Sequence, residues 1–417
     1  MADDLHLARR LGTADAVMIG LGSMIGAGVF SAFAPAAAAA GAGVLVGLLL
    51  AAVVAYCNAT ASAQLAAQYP TSGGTYVYGR ERLGPWWGFF AGWGFVVGKT
   101  ASCAAMALTF AAYVVPVAWQ RPVAVAAVVS LAAVNYRGVT RTARLTRILV
   151  IIVLSVLVLL LVAGWVAGKP DPVRLSLTSE HIGVYGVLQS AGLLFFAFAG
   201  YARIATMGEE VRDPERTIPR AILLALGIAV AVYAAVGVTV LAVLGTDRLA
   251  GSSAPLVEVA RSTGWGWTVP IVAVGGAAAS LGALLALIAG IGRTTLAMAR
   301  EADLPRWLAA VHPVHQVPHR AEIVVAAIVS LLVLTVDLRA AIGFSSFGVL
   351  LYYLTANIAA YTQERQQRRF PKALQILGAI GCVVLVAALP WQAVLGGVAV
   401  FALGAVYKAA RALRARH

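Results

Sequence analysis

The chain has 417 residues, of which 61% are hydrophobic and 12% charged, and its formal net charge is +14. Soluble domains carry about a quarter charged residues, so this composition, with a mean hydropathy of +0.87, excludes a soluble fold. It describes an all-α polytopic membrane protein. In a soluble chain such a charge would suggest nucleic acid; in this one the placement of the basic residues matters more than their sum.

Apolar segments long enough to span fall at 15–40, 42–68, 86–116, 121–136, 146–167, 184–206, 221–244, 268–299, 321–336, 341–361, 373–389 and 391–410. That predicts twelve helices, at roughly 20 residues per crossing. The fourth, ninth and eleventh are short, while 86–116 and 268–299 exceed one bilayer thickness and predict tilt or overhang. Met1 to Thr13 is short and mixed in charge, and the first apolar run lacks a cleavage site, so it is expected to stay as the first span. Cys57, Cys103 and Cys382 all lie in apolar segments and read as packing residues, not as a disulfide framework.

With the N-terminus inside, the cytoplasmic loops and tails gather Arg9, Arg10, Arg80, Arg82, Arg137, Arg141, Arg212, Arg216, Arg300, Arg306, Arg368, Arg369, Lys408, Arg411, Arg416 and others. The outer loops hold Arg121, Lys169, Arg174, Arg248, Arg261 and Arg339, and Lys99, Arg203 and Arg293 lie within spans. Both termini are therefore expected in the cytoplasm of a multi-pass protein of the plasma or inner membrane. The same asymmetry accounts for the net charge without nucleic acid.

In the first span, Gly22-Ser23-Met24-Ile25-Gly26-Ala27-Gly28 places three glycines in seven positions. Each costs a helix about 1 kcal/mol against alanine. Two readings stand: a seam packed tightly on a neighbour, or a broken helix whose freed backbone faces a solute. The sixth span carries a second interruption, Phe195-Phe196-Ala197-Phe198-Ala199-Gly200-Tyr201-Ala202-Arg203. Interrupted helices five spans apart, entering from opposite sides, point to an inverted repeat with a midplane site. The expected division is a cytoplasmic N-terminus at 1–14, a first repeat at 15–167 and a second at 184–361. Two further helices and a basic cytoplasmic C-terminus fill 373–417. Between spans seven and eight, Gly245 to Trp267 is polar, with Pro255 and Glu258, and predicts a short helix over the outer face.

Four motifs carry a family resemblance. Gly22 to Phe30 matches G-[ST]-x-I-G-x-G-[IV]-F, and Phe195 to Tyr201 matches F-F-A-[FY]-x-G-[FY]. Glu209 to Arg220 is similar to E-E-[VI]-[KR]-[ND]-P-x-[KR]-x-[IL]-P-[KR], and Met298 to Pro305 to M-A-R-[DE]-x-x-[LF]-P. Over nearly its whole length the chain resembles the amino acid–polyamine–organocation superfamily of transporters. The resemblance implies five plus five inverted helices with two added, and amino-acid carriage by alternating access. It implies a carboxylate site on backbone N–H groups at Ser23, Met24, Ile25, Gly26, Ala27 and Gly28. The ammonium site would draw on carbonyls near Gly20 to Gly22 and on Phe195, Ala197 and Phe198, with Phe196 or Phe198 closing over the substrate. The physics agrees: a helix N-terminus suits a carboxylate and a helix C-terminal end an ammonium.

Lys99 lies mid-span in the third helix, where the resemblance places the pocket flank. It reads either as a lysine paired with backbone carbonyls or as a pocket residue that binds an anionic group or exchanges protons. Where many relatives carry an acid after the G-[FY] pair, this chain has Ala202 and then Arg203. Arg203 is either paired with Glu209 or Glu210 at the cytoplasmic mouth or gates anionic substrate. The lysine some relatives place in the fifth helix aligns with Val153, and Ser280 and Thr294-Thr295 make a thin sodium site. Proton coupling through Lys99, or exchange, is therefore expected. The acids all fall in loops or at span ends, which favours neutral or anionic amino acids; cationic amino acids or polyamines are the alternative. A membrane sensor that binds without transport is a reading from another class. No enzyme, cofactor or metal site is expected, and the cluster His312, His315 and His319 reads as a solvated loop. The expected partners are the amino acid, protons and the lipid bilayer.

Overall fold

The computed structural model describes residues 11–71, 73–138, 143–177 and 183–414, and among them it contains helices and no strand. The expected N-terminal residues 1–10, with Arg9 and Arg10, lie outside the described residues. So do Arg141, Glu180 and the tail residues 415–417, with Arg416.

The first span is two helices, α1a (Thr13–Met24) and α1b, which begins at Ala27 and runs through Ala27–Ser31 and Phe33–Ala40. Ala32 keeps α1b continuous: its backbone is helical and its N–H donates to the Gly28 carbonyl at 2.9 Å. The chain turns at Gly41 into α2 (Val44–Gln68). Then follow α3 (Pro85–Val114), α4 (Gln120–Tyr136) and α5 (Ala143–Val166). The sixth span comprises α6a (Val184–Phe198) and α6b (Ala202–Ala205). The rest are α7 (Pro214–Gly251), α8 (Thr268–Arg300), α9 (His319–Thr335), α10 (Leu338–Tyr361), α11 (Lys372–Ala388) and α12 (Trp391–Arg414). The connection between α7 and α8 holds the predicted short helix, Pro255–Ser262.

Among the described residues, ten helical stretches are long and apolar enough to cross a membrane. Segments nine and eleven, read as short, are helices of 17 residues each. The outward faces carry exposed Ile151, Val158, Leu395 and Leu403, which in water would be an adhesive surface and in lipid meets hydrocarbon. The three cysteines are free and buried.

The packing has an internal regularity. α1 packs on α7 and α5, as α6 packs on α2 and α10. α3 packs on α10, α4 and α9, as α8 packs on α5, α9 and α4. α2 lies on α7, α3 on α8 and α4 on α9. Exchanging each of the first five helices with the one five later leaves this set of contacts unchanged.

The two ends of the bundle differ in charge. At one end Leu11 pairs with the Glu210–Arg212 stretch, Arg147 bridges to Asp15, and Arg369 donates to the Glu215 carbonyl. At the same end Asp303 accepts from Tyr76 at 2.8 Å and Arg80 at 3.2 Å, and meets Lys408 of α12. These contacts join both chain ends to the loops that the charge count assigns to one side. The opposite end holds the Arg248–Glu258 bridge at 3.5 Å and the bond from Arg339 to Gln189 at 2.9 Å.

Candidate substrate site at two broken helices

α1a stops at Met24, and Ile25 and Gly26 leave helical geometry before α1b starts. No side chain caps α1b, so the first N–H groups of this helix, from Gly26 onward, have neither a helical partner nor a side-chain acceptor. That end carries about half a positive charge. The sixth span is interrupted more mildly: α6a ends at Phe198, Ala199–Tyr201 tightens into one 3-10 turn with Phe198 and Tyr201 still at helical backbone angles, and α6b resumes at Ala202.

The breaks touch. A Cβ on Gly28 would lie 2.6 Å from Ala197 Cα, and one on Gly200 would lie 2.4 Å from Ser23 C and O. Glycine permits this backbone-to-backbone approach because it has no Cβ. Side chains then hold the exposed carbonyls. The Tyr233 hydroxyl of α7 donates toward both Met24 O at 2.6 Å and Ala197 O at 2.9 Å, so one proton is shared between the two breaks. Lys99 Nζ donates to Ala199 O at 3.0 Å, and the Tyr353 hydroxyl approaches the same carbonyl at 3.4 Å.

The predicted residues separate by what they offer. Met24, Ile25, Gly26, Ala27 and Gly28 are buried at the first break. Ser23 donates its hydroxyl hydrogen to Ile19 O at 3.0 Å, so that side chain has no proton left to offer a carboxylate. Phe195 turns its ring onto Tyr353, and Phe198 sets its ring edge against Tyr233, with centroids 5.0 Å apart. Phe196, Ala197 and Lys99 keep 6%, 5% and 6% of their surface accessible, so Phe196 is the aromatic of this run with residual access. Arg203 is not brought to the breaks: it donates to Thr206 at 3.2 Å and lies 3.9 Å from Glu210.

The histidine cluster lies elsewhere, with His312 and His315 in the loop between α8 and α9 and His319 opening α9. Its rings surround Tyr136, and His312 Nδ1 accepts the Val314 and His315 N–H groups at 3.2 Å each. No cluster of His, Cys, Asp or Glu among the described residues could hold a metal ion. Lost solvation, then the neighbouring His315 and His319, push the His312 pKa below its usual value. A histidine depressed in the folded state contributes stability above its unfolded pKa, about 6.5, and loses it as pH falls. The protection of amides 312–319, after correction for the intrinsic slowing of exchange with falling pH, is expected to drop below that value, and His312→Gln to flatten the change. Exchange equally pH-dependent in both proteins would refute this.

A family model described as "Amino acid permease" matches residues 11–405, nearly the whole chain. The chain belongs to the amino acid permease family. An uncharacterized transporter of Mycobacterium tuberculosis is 62% identical over 400 residues, covering 96% of this chain and 90% of its own. The branched-chain amino acid permease BcaP of Bacillus subtilis is 25% identical over 416 residues, covering 92% of this chain and 89% of its own. Cationic amino acid transporter 4 of Mus musculus is 28% identical over 378 residues, covering 84% of this chain and 59% of its own. The chain is thus an amino acid transporter of the superfamily that its motifs resemble, embedded in a membrane as a multi-pass protein.

Two site residues of this permease escaped the sequence reading, Tyr233 and Tyr353. The available signal was a tyrosine buried in the middle of an otherwise apolar helix, where a hydroxyl must find a partner.

Proposed function

We propose that this permease moves neutral or anionic amino acids across the cell membrane by alternating access, in proton symport or exchange. The observation that carries this reading is the uncapped start of α1b lying against the α6 break, with Tyr233 bonded to both. The substrate carboxylate accepts from the N–H groups at Gly26 to Gly28. Its ammonium donates to carbonyls at the two breaks; a carbonyl has two lone pairs, so Met24 O and Ala197 O retain capacity beside Tyr233. Phe196 closes over the side chain. The basic end faces the cytoplasm, and Arg203, with Glu210, acts as a gate at that mouth. The regularity of packing supports two inverted repeats, 15–167 and 184–361, that rock against each other, with 373–417 as an addition.

Lys99 is the coupling site in this reading. As an ammonium it fastens Ala199 O, and losing a proton weakens the hold on the α6 break. Lys99→Met is expected to abolish proton-dependent accumulation in proteoliposomes and to leave part of the counterflow exchange. Unchanged accumulation and pH dependence would remove Lys99 from this role.

A second reading is cationic substrate. Relatives named as cationic amino acid transporters favour it, and Arg203, its charge offset by Glu210, does not stand against it. Competition by all common amino acids and polyamines against one transported label separates the two. Absence of flux for every amino acid, with ligand still raising the thermal midpoint, would replace both by a sensor.

A further inference from the structure

The inner seam where α2, α10 and α11 meet is unusually polar for membrane depth. Asn357 donates to Asn58 Oδ1 at 2.6 Å and to Tyr353 O at 2.9 Å, and the Cys382 thiol approaches Asn58 Oδ1 at 3.4 Å. Toward the basic end, Gln363 donates to Gln68 at 2.6 Å, and Gln64 accepts from the Arg369 and Phe370 N–H groups. These bonds leave much unsatisfied. Asn58 Nδ2, Asn357 Oδ1, Ser62 Oγ, Gln363 Oε1 and both amide atoms of Gln375 are buried without a partner, and the buried Tyr201 hydroxyl has only that of Tyr353 beside it.

Helical spacing lines them up. Asn58 and Ser62 are four apart on α2, Tyr353 and Asn357 four apart on α10, and Gln375 and Cys382 seven apart on α11, so each pair shares a face. The upper end meets the substrate site: Tyr201 stacks on Tyr353 at 5.0 Å, and Tyr353 reaches the carbonyl that Lys99 holds. The lower end lies against the loop after α10, where Gln363 is buried between exposed Thr362 and Glu364. An unpaired buried polar atom costs about 1–3 kcal/mol, and buried polar groups left by the protein are ordinarily met by internal water.

We propose that this seam holds a chain of internal water that carries protons between the basic end and Lys99. It is a route separate from the substrate path, and it rests on Lys99 being the coupling site. In one passage the Lys99 ammonium gives a proton to the Tyr353 hydroxyl, which passes its own to Tyr201 or a neighbouring water. The last water delivers one proton to solvent at the basic end. Lys99 is left as a neutral amine and every intermediate group regains its original protons. The amides and the thiol flank the water and orient it without changing charge.

Cys382 supplies a probe inside the seam. In the full chain with Cys57→Ala and Cys103→Ala, in lipid vesicles moved to D2O, infrared spectroscopy follows the single S–H band. The expected result is exchange to S–D well ahead of the core helix amides, with and without Lys99→Met. An S–H band that persists as long as those amides would overturn the water chain. The double variant Ser62→Val with Gln375→Leu is expected to lower proton-driven accumulation by about tenfold, the weight of one hydrogen-bonded link, while counterflow exchange is kept. Undiminished accumulation would overturn conduction. If that variant fails to fold, the S–H measurement on the parent still decides. Proton coupling retained in Lys99→Met but lost in the seam variant would overturn Lys99 as the terminus, an outcome distinct from failure of the seam itself.

Discussion

Replacing Tyr233 with phenylalanine is expected to cut uptake by about thirtyfold with the helices intact. The lost atom is one hydroxyl, 2.6 Å from Met24 O and 2.9 Å from Ala197 O. Those carbonyls belong to the two helix ends that the transporter must hold in register around the substrate. A buried acceptor deprived of its donor costs about 1–3 kcal/mol; about 2 kcal/mol lost from the occluded state alone corresponds to the thirtyfold figure. The ring stays, so its edge contact with Phe198 persists and packing is little disturbed. Uptake in proteoliposomes measures the effect, and a thermal midpoint on purified protein reads the folded state separately. Wild-type uptake in Tyr233→Phe would mean that the breaks are held by backbone packing alone.

Much of the architecture was legible because the bilayer imposes a length on every crossing. A run of about 20 apolar residues has few alternatives in lipid, and the described helices fall on the predicted segments. The break in the first span was legible for a related reason: three glycines in seven positions leave the backbone free to depart from helix where Gly26 stands. What Tyr233 does was not legible, since its partner Met24 is 209 positions away and no local pattern joins them. The aromatic run shows the same limit at shorter range. Phe195, Phe196 and Phe198 are equivalent by composition, yet successive residues on a helix point about 100° apart. Only the neighbours decide that Phe195 faces Tyr353 and Phe198 faces Tyr233. The polar seam behind α6 had no signature either, because Asn58, Asn357 and Gln375 are isolated letters in three apolar runs. Arg203 was easier, since its partner Glu210 follows within two turns.

Gly200→Ala is expected to abolish transport outright. The added Cβ would stand 2.4 Å from Ser23 C and O and 2.6 Å from Met24 N, distances that no Cβ occupies. The obstacle is backbone on both sides, so no side chain can swing away, and one broken helix must shift against the other. Overpacking of this kind costs typically about 1–3 kcal/mol, occasionally more. Here the displacement falls on the ends that line the substrate site and on the register that Tyr233 maintains. Gly227→Ala is the control, because nothing lies within 4 Å of its Cβ position on α7, and uptake is expected to be unchanged. Comparing uptake and thermal midpoint for the two separates loss of the site from loss of the fold. Active Gly200→Ala protein would show that the second break can move off the first without cost, and the backbone site assembled from both would have to be abandoned.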